Sequence, residues 1–255
     1  MAMHDLVIVQ EVTPDDSQGL MNSLSGLQKE MKTTAKYAKV VDRVRNVDKT
    51  KGLIQKFFVK KDPPLLRHGA GLALDLENSL RRSRIETSRY ECKQGLVDLS
   101  AKRDINGTLP QKILETICGI ANVGPDADGF LFIGVADNES DAKRIHGLDS
   151  IDPVRISSRY VVGIDRELSL LKCDLETYVA RVLALVKNSE LSEPLKSGIL
   201  SQIDLVNYKG LSVMRIRIPA QSKVCFLGEQ AFIREGSSTV EATGKKLLAI
   251  NSVFA

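Results

Sequence analysis

The sequence predicts an α+β protein in which a mixed sheet with flanking helices follows an N-terminal helical extension. Apolar residues have helical spacing in the first 80 residues, and strand-like runs alternate with helices after them. Two further strand-like runs are joined by the turn at 207–210, which indicates a β-hairpin. The 255 residues are 43% hydrophobic and 27% charged, which fits a folded chain and excludes a disordered or fibrous one.

The N-terminal extension is predicted to span residues 1–64 and to be basic. Apolar side chains recur every three or four positions over 24–38, which is typical of an amphipathic helix. Residues 29–61 contain eleven Lys and Arg and three acidic residues, a net charge of +8. This run either attracts a polyanion such as nucleic acid or forms the solvated face of the helix. The prolines at 63 and 64 mark the end of the extension.

Residues 65–255 are predicted to form the mixed sheet and its helices. In chain order, the spacing predicts a helix over 65–80, a strand over 85–93, a helix over 109–121, a buried strand over 129–135, a helix over 174–187 with Asp174 at its N-cap, hairpin strands over 203–206 and 211–218, a strand over 231–234 and a helix over 245–254.

Several kinds of site are excluded by the motifs and residues that the sequence lacks. It has no P-loop, GxSxG or HExxH motif. Its four cysteines are widely separated and it has three histidines, so neither a zinc knuckle nor a histidine-rich metal site is indicated. The longest apolar run, 130–136, is shorter than the ~20 residues that span a bilayer, and we expect a cytoplasmic protein without membrane contact.

Three carboxylates, those of Glu86, Glu91 and Asp137, stand near the ends of predicted strands. If they converge, their oxygens could hold Mg²⁺ or Mn²⁺. Glu86 and Glu91 are five residues apart, so their convergence requires a bend near residues 87–88. Lys93 shares a strand face with Glu91 and could bind a phosphate. Without convergence, the three acids are ordinary solvated surface groups.

Four segments together point to a known family: Ile85–Lys93, Ile117–Asn122, Gly129–Asp137 and Phe232–Thr239. In their order and spacing they resemble the Schlafen Alba-like domain over about residues 80–255. The resemblance implies an endoribonuclease that uses Mg²⁺ or Mn²⁺ to cleave transfer RNA or another structured RNA.

The resemblance also implies roles for individual residues. Glu86, Glu91 and Asp137 match the three metal-binding acids that position a water molecule, and Lys93 matches a phosphate-stabilising lysine. The candidates for contact with the nucleic-acid backbone are Arg84, Arg89 and Arg234. The chain departs from the family pattern at Thr87, at Cys92 and in a longer turn over 124–129, whose Asp126 or Asp128 could join the metal site.

RNA is the expected partner, with DNA as a second candidate. In the mammalian Schlafens that the chain resembles, two such lobes join in one chain, so the resemblance implies a homodimer for this single copy. A larger defence assembly is a further candidate partner. The alternative function is a non-catalytic nucleic-acid-binding module of a regulatory or defence assembly, because the fold alone does not determine activity. A third hypothesis is a structural interaction domain that neither binds nor cleaves nucleic acid.

Overall fold

The computed structural model describes residues 2–9, 12–27, 40–59, 70–82, 87–105, 107–126 and 128–255. The chain divides into two compact units, Met1–Leu72 and Ala73–Ala255. Glu86, Arg84, the proline break and most of the helix predicted over 24–38 lie outside the described residues.

The N-terminal unit contains short helices and one two-stranded ladder. Its elements are the helical segments Ala2–His4 and Asp5–Val9, β1 (Thr13–Pro14), α1 (Ser17–Ser25), α2 (Val40–Ile54), the 3₁₀ turn Gln55–Phe57 and β2 (Phe58–Val59). Asp16 caps α1 by accepting a hydrogen bond from the Gly19 amide at 2.8 Å. Leu6, Leu20 and Ile54 lie in a small apolar core. The described part of the N-terminal unit is therefore helical, as predicted, with helices over 17–25 and 40–54.

The C-terminal unit combines helices with three groups of strands. The boundary between the units falls in α3 (Ala70–Arg82), most of which belongs to the C-terminal unit. The other elements of this unit are β3 (Tyr90–Lys93), α4 (Leu109–Ala121), β4 (Gly129–Ile133), β5 (Val135–Ala136), α5 (Glu139–Asp149), β6 (Val154–Ile156), β7 (Arg159–Val161), α6 (Asp165–Leu168), α7 (Leu175–Lys187), α8 (Leu195–Leu200), β8 (Ile203–Tyr208), β9 (Leu211–Ile218), β10 (Phe232–Glu235), β11 (Ser238–Glu241) and α9 (Lys245–Val253).

The main sheet has the strand order β3-β4-β9-β8. β3 runs parallel to β4, with Glu91 beside Leu131, and the other two pairs are antiparallel. β5, β7 and β6 form a separate antiparallel sheet, and β10 pairs with β11 as a hairpin. The predicted α+β class with a mixed sheet is confirmed.

The apolar core of this unit lies between the main sheet and the helices α4, α7 and α8. Leu131 of β4 and Ile216 of β9 are fully buried in it, together with Ile117 of α4, Val186 of α7 and Ile199 of α8. Alternate residues of a strand point to opposite faces, so burial of Leu131 places its neighbours on the other face of the sheet. On that face, Phe130 stacks between Tyr90 and Phe132.

The predicted helices agree closely with the structure. α4 spans the predicted residues, and Asp174 caps α7 by accepting a hydrogen bond from the Thr177 amide at 2.7 Å. The hairpin of β8 and β9 is also present, with β8 extended to Tyr208. Within the described residues, no helix is long and apolar enough to cross a membrane.

Two predicted strands differ from the observed ones. The strand predicted over 129–135 is divided at Gly134, whose φ of 103° favours glycine and turns the chain from the main sheet into β5. The described part of the strand predicted over 85–93 begins at Tyr90, because residues 87–90 form a turn closed by the Tyr90 amide and the Thr87 carbonyl, 3.2 Å apart. This turn supplies the predicted bend near residues 87–88.

Candidate functional site

Glu91 lies in the middle of β3 and is almost completely buried, with 6% of its side chain exposed. Lys93 follows two residues later on the same strand face, and its Nζ forms an ion pair with Glu91 Oε1. The Lys93 side chain keeps 27% of its surface exposed. Lys93 and Glu91 therefore lie on one strand face, as predicted, and Lys93 is the partly exposed member of the ion pair.

Arg234 of β10 approaches Glu91 from the protein interior. Its Nη2 lies 2.8 Å from Glu91 Oε2, and only 1% of its side chain is exposed. The two groups are not aligned for a hydrogen bond, so Glu91 Oε2 accepts none within the described residues. Arg234 was predicted to contact nucleic acid from the surface, and its burial gives it a different environment. The described part of this cluster holds two cations for one carboxylate.

Asp137 lies between β5 and α5, directly before Asn138, which begins α5 by accepting a hydrogen bond from the Asp141 amide at 2.9 Å. Its carboxylate forms an ion pair with Nη1 of Arg159 in β7. The Arg159 side chain is 6% exposed and that of Asp137 is 34% exposed. A second acid of the predicted site is thus neutralised by an interior arginine.

Glu167 of α6 fixes the segment that directly follows β3. Its fully buried carboxylate accepts hydrogen bonds from the amides of Leu96 at 2.8 Å and Val97 at 3.1 Å, and from the Tyr178 hydroxyl at 2.8 Å. Burial and the adjacent Glu167 raise the pKa of Tyr178 well above its usual value, which keeps the hydroxyl a donor. A Cβ at Gly95 would overlap the Glu167 carboxylate, so any larger residue there would displace it from these hydrogen bonds.

Asp149, at the end of α5, extends this buried network. It accepts hydrogen bonds from Arg103 Nη1 at 2.5 Å and from Arg166 Nη1 at 2.9 Å, while Arg166 Nη2 donates to the Gln94 carbonyl at 2.9 Å. Burial alone would raise the pKa of Asp149, but the two arginines outweigh it and hold that pKa below its usual range. Because Gln94 follows Lys93 in the chain, the network restrains the end of β3.

Asn122 joins the end of α4 to the strand that carries Arg234. Its Nδ2 donates to the carbonyls of Cys225 and Phe232, at 2.9 Å each, and its Oδ1 accepts from the Cys225 amide at 2.8 Å. Burial raises the pKa of the Cys225 thiol to about 11, so this cysteine stays protonated. These bonds fix the start of β10 against the helix.

The longer turn over 124–129 has a structural role in the described residues. Asp128, one of the two acids predicted as additional metal ligands, accepts hydrogen bonds from Arg217 Nη2 at 2.5 Å and from the Ala220 amide at 2.8 Å. Burial would raise the pKa of Asp128, but these donors lower it overall. Asp126 is exposed, and its backbone carbonyl accepts a hydrogen bond from the exposed Arg89 at 3.1 Å.

The donor chemistry of the two described acids fits a hard divalent cation. Glu91 and Asp137 supply carboxylate oxygens, and Glu91 Oε2 is buried without a hydrogen-bond donor in the described residues. Both acids are paired with side-chain cations, so a metal would replace part of that pairing. No three acidic, histidine or cysteine residues of the described ranges are gathered closely enough to hold a metal ion, and the third predicted ligand, Glu86, lies outside those ranges.

Three residues that organise the site were not predicted from the sequence. Arg159 and Glu167 stand in stretches without a motif, and each meets a partner distant in the chain. Asn122 belongs to a segment that carries the family resemblance, and an amide at the end of an apolar helix was a usable signal for a buried cap.

Comparisons with known proteins identify a family for this chain. A comparison with curated proteins finds no significant match. A family model described as Schlafen, AlbA_2 matches residues 86–243, which is more than half of the chain. The matched range contains Glu91, Lys93, Asp137 and Arg234, as well as the buried network beneath β3. The chain therefore belongs to the Schlafen AlbA_2 family.

Proposed function

We propose that this protein is an endoribonuclease that depends on Mg²⁺ or Mn²⁺ and cleaves transfer RNA or another structured RNA. Membership of the Schlafen AlbA_2 family supports a nucleic-acid-binding or nuclease-like role. The observation that carries the finer proposal is the buried Glu91 carboxylate held between Lys93 and Arg234. A nucleic-acid-binding surface needs only cations, because a carboxylate repels phosphate, whereas a metal-dependent nuclease needs carboxylate oxygens to bind its ion.

In this proposal, the basic and acidic residues of the site have different roles. Lys93, which is partly exposed, binds the scissile phosphate and stabilises its developing charge. Glu91 would hold the metal ion together with Glu86 and Asp137. When bound, a divalent ion stabilises negative charge on the phosphate and lowers the pKa of a bound water molecule.

Contacts with the RNA backbone are proposed for Arg84 and Arg89, which lie next to β3 in the sequence. Arg89 is exposed in the turn before β3, and its guanidinium donates a hydrogen bond to the Asp126 backbone carbonyl at 3.1 Å. A phosphate oxygen is a stronger acceptor for a guanidinium than a peptide carbonyl, so this arginine can exchange partners.

Incubation with RNA and DNA tests the proposal. Purified protein is mixed with transfer RNA, single-stranded DNA and duplex DNA, each with Mg²⁺, with Mn²⁺ and with chelator. We expect metal-dependent cleavage of RNA. Glu91→Gln should reduce that cleavage by at least about 100-fold, the order expected when a charge-stabilising group leaves an active site, with RNA binding retained. The matched control Glu229→Gln changes an exposed glutamate and should cleave as the unmodified protein does.

One observation favours the alternative of a non-catalytic nucleic-acid-binding module. Both described acids already have cationic partners, and the described ranges contain no three-ligand metal cluster. Such a module would bind RNA or DNA with steep salt dependence and would not respond to chelator. Binding without cleavage under every metal condition would reject the nuclease proposal in favour of this module.

A further inference from the structure

The buried position of Arg234 separates it from the other arginines proposed to meet RNA. Only 1% of its side chain is exposed, so an RNA phosphate cannot reach the guanidinium while β10 keeps its position. Arg89, in contrast, is exposed. A buried arginine next to an acid of the site therefore has a different role from a surface arginine that contacts RNA.

We propose that Arg234 is a positioning residue that holds the Glu91 carboxylate from its buried side. Through Arg234, the β10–β11 hairpin contributes to the site. This inference rests on the nuclease function proposed above. Lys93 and Arg234 contact different oxygens of Glu91, Oε1 and Oε2, so together they fix the orientation of the carboxylate. Arg234 thereby leaves the partly exposed Lys93 free to exchange Glu91 for a phosphate.

A series of contacts fixes Arg234 itself. Its Nη1 donates to Thr239 Oγ1 in the paired strand β11 at 2.9 Å. Thr239 Oγ1 lies 3.3 Å from Thr116 Oγ1 in α4, and because Thr239 accepts from the arginine it can donate to Thr116. The guanidinium is therefore held to the helix through two hydroxyl groups.

The β10–β11 hairpin packs closely on α4. A Cβ at Gly119 would lie 3.3 Å from Thr239 Cγ2 and 3.4 Å from the Ile233 carbonyl carbon, so glycine lets the hairpin sit directly on the helix. Asn122 holds the start of β10 through the Phe232 carbonyl at 2.9 Å. Gly119 lies within α4 and Asn122 caps its end, and together they set where Arg234 enters the site.

Lysine is not expected to replace Arg234. A guanidinium is a planar group that can contact Thr239 and Glu91 through two different nitrogens, whereas an ammonium is a single point charge. Arg234→Lys therefore keeps the charge and loses the geometry, which separates positioning from simple neutralisation.

The test compares Arg234→Met and Arg234→Lys with Arg89→Met. For each variant we would measure kcat and KM for transfer RNA cleavage, and the salt dependence of RNA binding with metal omitted. If Arg234 positions Glu91, both of its variants lower kcat by about tenfold or more, with KM and the salt slope unchanged. Arg89→Met should instead show the effects of a lost RNA contact, which we call the binding pattern. Its KM is raised, and the slope of its salt dependence is reduced by about 1, the value for one phosphate that is no longer neutralised. The binding pattern in Arg234→Met, with kcat retained, would overturn the inference.

A second measurement does not depend on cleavage. A double-mutant cycle of Glu91→Gln and Arg234→Met, read by chemical unfolding, should give a coupling of about tenfold in the unfolding equilibrium constant, as expected for residues in direct contact. If the unmodified protein cuts no RNA, the nuclease proposal fails, and the cycle still decides whether Arg234 restrains Glu91. Additive effects of the two substitutions would overturn the inference that Arg234 restrains Glu91. Where Arg234→Met does not fold, Arg234→Lys takes its place.

Discussion

Each described acid of the candidate site is paired with an arginine from a later part of the chain. Arg234 meets Glu91, and Arg159 meets Asp137. A buried guanidinium is strongly unfavourable without a carboxylate partner, and a buried carboxylate without a cation is equally so. We therefore interpret each pair as a unit in which the arginine sets the position of the acid.

The same principle predicts a pH-dependent contribution from Asp149. Its carboxylate serves both Arg103 and Arg166, and its pKa is held below the usual range. Asp149→Asn should lower the free energy of unfolding by about 3 kcal/mol at pH 7, because Arg103 loses its counter-ion and Arg166 keeps only Glu167 as an acidic partner. An acid with a lowered pKa contributes stability above its unfolded value of about 3.9, and the contribution is lost as the pH falls toward the folded value.

The measurement is chemical unfolding of both proteins between pH 7 and pH 2.5. The difference in unfolding free energy between Asp149→Asn and the unmodified protein should be largest at neutral pH and should become smaller below about pH 4. Asp104→Asn, which changes an exposed aspartate, is the control, and its unfolding free energy should equal that of the unmodified protein at each pH. A difference for Asp149→Asn that stays constant down to pH 2.5 would contradict an ionic origin for the stabilisation by Asp149.

The partners of the site residues could not be predicted from the sequence, although several of the residues could. Glu91, Lys93 and Asp137 stand at recognisable strand positions, and the face shared by Glu91 and Lys93 follows from the two-residue period of a strand. The partner of Glu91 in β10 depends on how a distant hairpin packs. Asn122 and Cys225 likewise meet across 103 residues of sequence.

At the level of elements, periodicity predicted what depends on local sequence. The apolar spacing of α4 and α7 sets their faces, and Asp174 sets the start of α7, so both helices were predicted closely. The division between β4 and β5 was not predicted, because Gly134 stands inside a continuous apolar run. The cause of that break is a left-handed backbone and the packing of a second sheet, which apolar periodicity does not encode.

The contact between α4 and the β10–β11 hairpin gives a prediction about an element. Asn122→Ala removes the three hydrogen bonds that link the end of α4 to the backbone of Cys225 and Phe232, so we expect a loss of about 3 kcal/mol in unfolding free energy. The amides of residues 232–241 should exchange with solvent faster than in the unmodified protein, as measured by hydrogen exchange.

Asn188→Ala is a matched control for this prediction. Asn188 ends α7 as Asn122 ends α4, with its backbone amide bonded to the last helical turn, but its side chain is exposed. Its removal should change the unfolding free energy by less than about 0.5 kcal/mol. Equal losses in the two variants would show that the helix end, and not the link to the hairpin, accounts for the effect of Asn122.

At the level of the whole molecule, the positive charge and the candidate site lie in different units. Residues 1–72 contain 12 Lys and Arg and 8 Asp and Glu, whereas residues 73–255 contain 24 of each. The net charge of +4 therefore comes from the N-terminal unit, and the unit that holds Glu91 is neutral. In the described part of the basic run, α2 presents Arg43, Arg45 and Lys49 at its surface.

This separation predicts that the N-terminal unit supplies affinity and that the C-terminal unit supplies chemistry. Deleting residues 1–61 removes a segment of high positive charge, so RNA binding should weaken and its salt dependence should become shallower, by about 0.7 to 0.9 in slope for each phosphate that the protein no longer neutralises. The kcat for RNA cleavage should change little, because Glu91, Lys93 and their buried supports remain. Sedimentation of both proteins would show whether the deletion also changes the assembly. An unchanged salt slope would contradict the prediction and identify the basic run as the solvated face of a helix.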